Sequence, residues 1–201
     1  MSSGFGQRAI AGIPGPGEVI AGRFRVEREI GVGGMGAVVA AARLDRPGER
    51  VAIKLMLPSL AEQSDFLARF VREAKVVTRL SSEHVARVVE IGSSDGGAPF
   101  MVMELLEGVN FDALLKRAAA PLPIAQVVGW MLEACDAIAD AHAHGVVHRD
   151  LKPSNLFLAR RAGGADVVKV LDFGISKALT LDAGATDVST LTNTGAQLGS
   201  P

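Results

Sequence analysis

An α+β fold in two lobes is expected, a strand-rich N-terminal lobe built on an antiparallel sheet and then a helical C-terminal lobe. Two observations predict it. Short runs of alternating apolar and polar residues, parted by turn-forming clusters, fill the chain up to about Leu106. From Asn110 onward the apolar residues recur mainly at helical spacing. The 201 residues suffice for one or two compact domains, and 48% apolar with 21% charged residues is ordinary for a soluble globular protein.

The opening, MSSGFGQRAIAGIPGPGE, is rich in Gly and Pro without periodicity, so residues 1–18 read as a flexible leader. VIAGRFRVEREIG alternates through Phe24, Val26 and Ile30 and reads as a strand running into glycines. AVVAAARL and RVAIKLML, parted by the Asp45-Arg46-Pro47-Gly48 turn, are the next two strands. From Ser64, a candidate N-cap, Phe66, Phe70, Ala74 and Val77 form one helical stripe. ARVVEIG and PFMVMELL are again strand-like, joined by a turn at residues 93–97. The character then changes, with a boundary near Leu106 to Asn110. NFDALLKR is a short helix, and IAQVVGWMLEACDAIADAHAHG is a long one with Val127, Met131, Cys135 and Ile138 in register. Strands NLFLA and VVKVLDF flank a Gly163-Gly164 turn, and after Lys177 the chain is rich in Thr, Ser, Asp and Gly. A cleft between two such lobes is a natural ligand site.

Composition narrows the function. A net charge of -1 offers no overall basic field, which argues against nucleic acid as a partner. The lone Cys135 rules out an internal disulfide and fits a reducing cytoplasm, and its place on an apolar stripe suggests a small core residue. No stretch approaches the ~20 apolar residues of a membrane span, and the N-terminus lacks the order of a signal peptide. The expected location is cytoplasmic.

Several motifs carry chemistry. Gly31-Val32-Gly33-Gly34-Met35-Gly36-Ala37-Val38 fits G-x-G-x-x-G-x-V, which serves dinucleotide folds when it joins a strand to a helix. Here a strand follows Gly36, which favours a hairpin whose amides lie over phosphates, although a plain glycine turn has the same letters. Val51-Ala52-Ile53-Lys54 puts a lysine in an apolar strand, either snorkelling to the surface or supplying a fixed cation to phosphate oxygens. Glu73 is the candidate carboxylate for that cation, or else a simple surface partner of Arg69. His148-Arg149-Asp150-Leu151-Lys152-Pro153-Ser154-Asn155, followed by Asp172-Phe173-Gly174, concentrates polar groups that are expensive to bury. Phosphoryl transfer asks for a carboxylate to orient the attacking hydroxyl, a cation near the moving group and metal ligands. Asp150, Lys152, and Asn155 with Asp172 supply these in turn. A metal held by His142, His144 and His148 is disfavoured for want of carboxylates, and His84 reads as a loop or packing residue.

With these residues assembled, the chain resembles the eukaryotic-like (Hanks-type) serine/threonine protein kinases of bacteria from Glu18 to Pro201. Glycine loop, VAIK, helix Glu, HRDLKPSN and DFG occur in the family's order, and Lys152 is the residue that serine/threonine members carry. The resemblance implies a protein-kinase-like two-lobed fold with an N-lobe at 19–107 and a partial C-lobe at 108–201. It implies ATP and Mg²⁺ as cofactors and transfer of the γ-phosphoryl group to Ser or Thr hydroxyls of protein substrates. By the same resemblance, Gly31, Gly33, Gly34 and Gly36 cover the phosphates, and Lys54 pairs with Glu73 and meets the α and β phosphates. Asp150 is the catalytic base, Lys152 contacts the γ-phosphate, and Asn155 and Asp172 are the metal ligands. Adenine is expected among Val38, Ala52 and Phe157 with Met103 as gatekeeper, its edge read by the backbone of Glu104 and Leu106, and Asn110 is placed near the ribose. Val77, Val89, His148 and Phe173 match the stacked apolar column of an assembled active state.

LTNTGAQLGSP resembles an activation segment, with Thr192 and Thr194 at autophosphorylation positions, Arg149 as the basic partner of such a phosphate, and Ser200 as the hydroxyl beside the catalytic Asp and Lys. The family's A-P-E signature and the helices beyond it have no counterpart before Pro201, so a truncation within the activation segment and an incomplete C-lobe are expected. The long helix around Trp130 to Ile138 is then expected to expose an apolar face. A second function therefore stays open beside the kinase: a nucleotide-binding or interaction module that keeps the catalytic letters without phosphorylating protein.

Overall fold

The computed structural model describes residues 12–33, 36–57, 60, 70–71, 74–75, 77–161 and 163–173. By its internal contacts the chain divides into two compact units, Met1–Leu67 with Glu90–Leu105, and Ala68–Val89 with Leu106–Pro201.

The first unit rests on a six-stranded sheet of order β1-β2-β3-β4-β6-β5. Its strands are β1 (Val19–Ile20), β2 (Phe24–Gly33), β3 (Gly36–Arg43), β4 (Arg50–Met56), β5 (Val88–Ser93) and β6 (Pro99–Glu104). The pairings β1–β2, β2–β3, β3–β4 and β4–β6 are all antiparallel, the first three across hairpin-length connections. One face carries a closed apolar cluster of Ile20, Phe24, Val26, Val39, Ala41, Val51, Ile53, Leu55, Phe100 and Val102. Its members alternate along the strands, Val39 and Ala41 on β3, Val51, Ile53 and Leu55 on β4, and Phe100 and Val102 on β6, the period-2 pattern of a strand. Ile30 was expected on the Phe24–Val26 face, yet it is 44% exposed. Register shifts between Val26 and Arg28 and between Glu29 and Gly31 break the alternation before it reaches Ile30.

The expected single strand from Val19 is split by a tight turn. Arg23 N donates to the Ile20 carbonyl at 3.0 Å, and Ala21 and Gly22 take φ of 48° and 65°. Ile20 pairs with Phe24 across a three-residue loop, Ala21 to Arg23, and two successive positive φ values at the centre of its turn are those of the mirror-image turn that suits Asn-Gly best. Residues 12–18, expected as leader, are tied to β2: Gly17 N donates to Val26 O at 2.8 Å and Val26 N to Glu18 O at 2.9 Å. Ile13 packs against the apolar cluster, which gives that segment a hydrophobic reason to stay.

The second unit holds a three-stranded sheet of β7 (Gly108–Asn110), β8 (Leu156–Ala159) and β9 (Val167–Val170), in that order and antiparallel. Helices α1 (Phe111–Arg117) and α2 (Ile124–Ala143) pack with it. Phe70, Val71, Ala74, Lys75 and Val77 are helical, in keeping with the stripe read from the sequence. Its core joins Val77, Val85, Phe111, Trp130, Ala134, Ala137, Ala141, Leu156, Leu158, Val168, Val170 and Phe173. Residues 68–89 join this unit because Val77 and Val85 are part of that core and because Asp140 of α2 accepts the backbone N–H groups of Ser81 and Ser82 at 2.8 and 2.9 Å.

The buried side of α2 differs from the stripe expected. Trp130, Ala134, Ala137 and Ala141 are buried, Val127 and Ile138 pack at the margin, and Cys135 is exposed. The helix is apolar over most of its girth, so periodicity alone left the choice of face open. Alanines won because small side chains let the helix axis approach the sheet closely. Ile124, Val128 and Leu132 stand 82, 50 and 62% exposed on another side, the kind of apolar face expected of this helix. Among the described residues no helix is long and apolar enough to cross a membrane.

Two outcomes follow from these contacts. Ala21→Asn converts a strained residue into the favoured Asn-Gly turn and is expected to stabilise the protein by about 1 kcal/mol in a denaturant melt; a loss of stability would contradict the turn assignment. Backbone donors hold the Asp140 carboxyl below its usual range. Its contribution is therefore complete above the unfolded value near 3.8 and lost as pH falls through the lower folded value. Asp140→Asn should cost about 1 kcal/mol at pH 7, with a gap from wild type that closes in acid.

Candidate active site

In the first unit the strand register brings the sequence-selected residues onto one face. Val38 lies opposite Lys54, Ala40 opposite Ala52, Ala52 opposite Met103, and Lys54 opposite Met101. Directly paired residues of antiparallel strands share a face. Val38, Ala52, Lys54 and Met103 therefore line one side of the sheet, the side away from the closed apolar cluster. Met101 belongs there too and was not singled out from the sequence; its place two residues before Met103 was the available signal. Glu104 ends β6 opposite Val51.

The glycines differ in what demands them. A Cβ at Gly36 would stand 1.8 Å from the Leu55 carbonyl oxygen, so close packing of β3 on β4 requires that glycine. A Cβ at Gly31 or Gly33 would meet nothing within 4 Å, and neither residue has positive φ. Nothing in their described surroundings calls for glycine at Gly31 or Gly33. Gly34, Glu73, Arg69, Gly174, Thr192, Thr194 and Ser200 lie outside the described residues.

The second unit carries the polar cluster. His148 is 3% exposed and its ring lies 4.9 Å from that of Phe173. Nε2 stands 2.9 Å from the Leu171 carbonyl, an acceptor, so Nε2 bears the hydrogen. Burial pushes the imidazole below its ordinary value, which keeps it neutral and leaves Nδ1 to accept from Asp150 N at 3.3 Å. The same N–H reaches the His148 carbonyl at 2.8 Å across Arg149, whose φ is 60°. This is a γ-turn of the rare positive-φ hand, strain of the sort that collects at functional sites.

Pro153 then opens a single 3₁₀ turn, Pro153–Asn155, closed by Asn155 N to the Lys152 carbonyl at 2.9 Å. The turn folds Asn155 back on Asp150. Its Nδ2 donates to the Asp150 carbonyl at 2.8 Å and approaches Oδ2 at 3.3 Å, while Lys152 Nζ pairs with Oδ2 at 2.8 Å. Since the amide nitrogen must be the donor, Oδ1 of Asn155 is the oxygen offered elsewhere. Asn155 O accepts from Leu171 N at 2.8 Å, one residue before the exposed Asp172, itself at φ 52°. Two oxygen donors on adjoining backbone suit a hard divalent ion. Asp150, Lys152, Asn155 and Asp172 are thus brought together through hydrogen bonds within one unit.

Other expectations fared differently. Leu106 is half-buried between β6 and β7, and Phe157 lies on the side of β8 away from the core residues Leu156 and Leu158. Asn110, expected near a ribose, has its Oδ1 engaged as the N-cap of α1, 2.8 Å from Ala113 N. Val77, His148 and Phe173 are buried as the stacked column requires, but Val89 is 37% exposed and Val88 packs against the core. A strand places neighbours on opposite faces, so a one-residue difference exchanges in for out.

Comparison with known proteins identifies the class to which this fold and motif set belong. A protein kinase domain model matches residues 24–194, and the chain belongs to the protein kinase family. The serine/threonine-protein kinase Pkn1 of Myxococcus xanthus is 40% identical over 156 residues, 78% of this chain and 22% of that protein. PknJ of Mycobacterium tuberculosis is 39% identical over 175 residues, 87% of this chain and 29% of its own length. The chain thus spans about a quarter of those two relatives. The solved kinase domain of Mycobacterium tuberculosis PknI aligns with a TM-score of 0.69 at 30% identity, over 87% of this chain and 69% of that one. The family uses ATP with a divalent metal and acts on protein substrates.

The buried neutral His148 binds a proton less readily folded than unfolded. Stability is accordingly full above its unfolded value of 6.5 and declines as pH falls toward the lower folded value. His148→Gln, which keeps a donor for Leu171, should flatten thermal stability between about pH 7 and 5 relative to wild type; parallel profiles would exclude His148 as the titrating group.

Proposed function

We propose that the chain is the nucleotide- and metal-handling part of a bacterial serine/threonine protein kinase that moves the γ-phosphoryl group of ATP to Ser or Thr hydroxyls of proteins. The observation that carries this reading is the Asp150–Lys152–Asn155 cluster, joined through Leu171 to Asp172. In it Asp150 orients the attacking hydroxyl and takes its proton. Lys152 offsets negative charge on the transferred group, and its ion pair holds the carboxylate in place. Asn155 Oδ1 and the Asp172 carboxylate hold Mg²⁺. Among the described residues no group of three or more His, Cys, Asp and Glu could cage a metal, so phosphate oxygens and water complete the coordination, as Mg²⁺ prefers. The bound ion supplies neutralisation of triphosphate charge.

On the sheet of the first unit, the amides around Gly31 and Gly33 cover phosphates, which accounts for glycine where no described neighbour demands it. Lys54 contacts the α and β phosphates with Glu73 as its partner, and Val38, Ala52 and Met103 give the adenine an apolar surface. Glu104 and Leu106 supply backbone groups to its edge, and Phe157 a further apolar contact. Thr192 and Thr194 are the proposed autophosphorylation sites, the location is cytoplasmic, and nucleic acid is not a partner.

The test is direct. MgATP binding measured by calorimetry should weaken at least about ten-fold in Lys54→Met, and its Mg²⁺ dependence should be lost in Asp172→Asn. Phosphate mapped by mass spectrometry after incubation with MgATP should appear on Ser or Thr of the wild type and be absent from Asp150→Asn. Nucleotide binding without any transfer would favour the interaction-module reading, and transfer by Asp150→Asn equal to wild type would remove Asp150 from its role.

A further inference from the structure

The strand that delivers Asp172 is gripped from its second edge by two side chains outside the motifs. β9 pairs with β8 on one side. Toward other partners the backbone of Val168 and Val170 makes four more hydrogen bonds. Val168 N donates to Glu133 Oε2 at 2.7 Å, and Val168 O receives His84 Nδ1 at 3.1 Å. Val170 N donates to His84 O at 2.7 Å, and Val170 O accepts from Ala86 N at 3.0 Å. An exposed strand edge normally leaves such groups to solvent or to another strand. Here one residue, His84, supplies both a ring and a carbonyl, and a carboxylate from α2 takes the remaining donor. His84 Nδ1 also lies 3.6 Å from Glu133 Oε2, so both clamping groups meet at Val168.

We infer that His84 and Glu133 are positioning residues for metal binding, acting through the register of β9 on Asp172. Only Leu171 separates Val170 from Asp172, and it is already held at both its N–H and its carbonyl. A slip or opening of β9 at Val168 is therefore passed along hydrogen-bonded backbone to the carboxylate. Glu133 reaches an N–H and not a ligand, so its part is indirect, in the way that outer partners orient metal ligands elsewhere. This inference rests on the reading of Asp172 as a metal ligand.

ATP affinity of the full chain with and without Mg²⁺ separates the two. Glu133→Leu removes the acceptor, and Glu133→Gln keeps an oxygen for Val168 N. The expected result is a loss of about ten-fold in the Mg²⁺-dependent part of the affinity in Glu133→Leu, with metal-free ATP binding unchanged and most of the loss restored in Glu133→Gln. His84→Ala, which loses only the ring, should show the same split. Fluorescence of Trp130, the single tryptophan, reports that each variant is folded. Equal Mg²⁺ dependence in folded Glu133→Leu and wild type overturns the clamp alone. Absence of any Mg²⁺ dependence in the wild type overturns the assignment of Asp172 and the clamp with it.

Discussion

The hydrogen bond from His148 to the Leu171 carbonyl is the constraint on which the second unit depends. One ring, kept neutral by burial, ties the loop that carries Asp150 to the segment that carries Asp172. Asn155 makes the same connection from its own backbone, accepting from Leu171 N while its side chain holds Asp150. Leu171 thus has both polar backbone groups committed to the loop. An unpaired group at such a place would cost on the order of 1–3 kcal/mol, which makes partial detachment unfavourable. Two aspects of the sequence, a histidine two residues before Asp150 and an asparagine five after it, become one mechanical unit.

The first unit is held by a different device. Phe24 is fully buried, meets Phe100 edge-on at 5.9 Å, and has the guanidinium groups of Arg23 and Arg43 within 4.9 and 5.5 Å of its ring centre. Arg43, with 2% of its side chain exposed, is tolerable there only because Asp45, Glu49 and Glu90 surround it. Asp45 answers by titrating at about 2, held down first by its hydrogen bond from Arg43. This closes one side of the sheet, and the side bearing Lys54 is left to the chemistry. A sheet with one sealed face can present a cation at a fixed strand position without opening its core.

In the second unit, backbone strain gathers beside the His148–Leu171 connection. Arg149 and Asp172 are both non-glycine with φ above 50°; the first precedes Asp150, the proposed base, and the second carries the proposed metal-binding carboxylate. Such backbone persists only when its surroundings over-determine it. His148, Asn155 and the neighbouring strands provide that surplus, and the edge of β9 adds to it through His84 and Glu133.

Most of the architecture was legible in the chain. Strand and helix periods, glycine turns and the order of motifs announced an antiparallel sheet followed by a helical part and pointed to the side chains proposed for the site, because these depend on neighbours close in sequence. What periodicity could not decide was the face. Ile30 left the core because of upstream bulges, and Cys135 left it because α2 is apolar on several sides and packs by its alanines. Val88 took the place expected of Val89, and Asn110 became a helix cap. The β7 strand and the grip of His84 and Glu133 on β9 arise from pairings across many residues, with no local signature. The sequence by itself determined the family and which groups are proposed for phosphate chemistry. Only the tertiary structure decided which backbone groups hold Asp150, Asn155 and Asp172 in place, since long-range hydrogen bonds are settled by where strand edges meet.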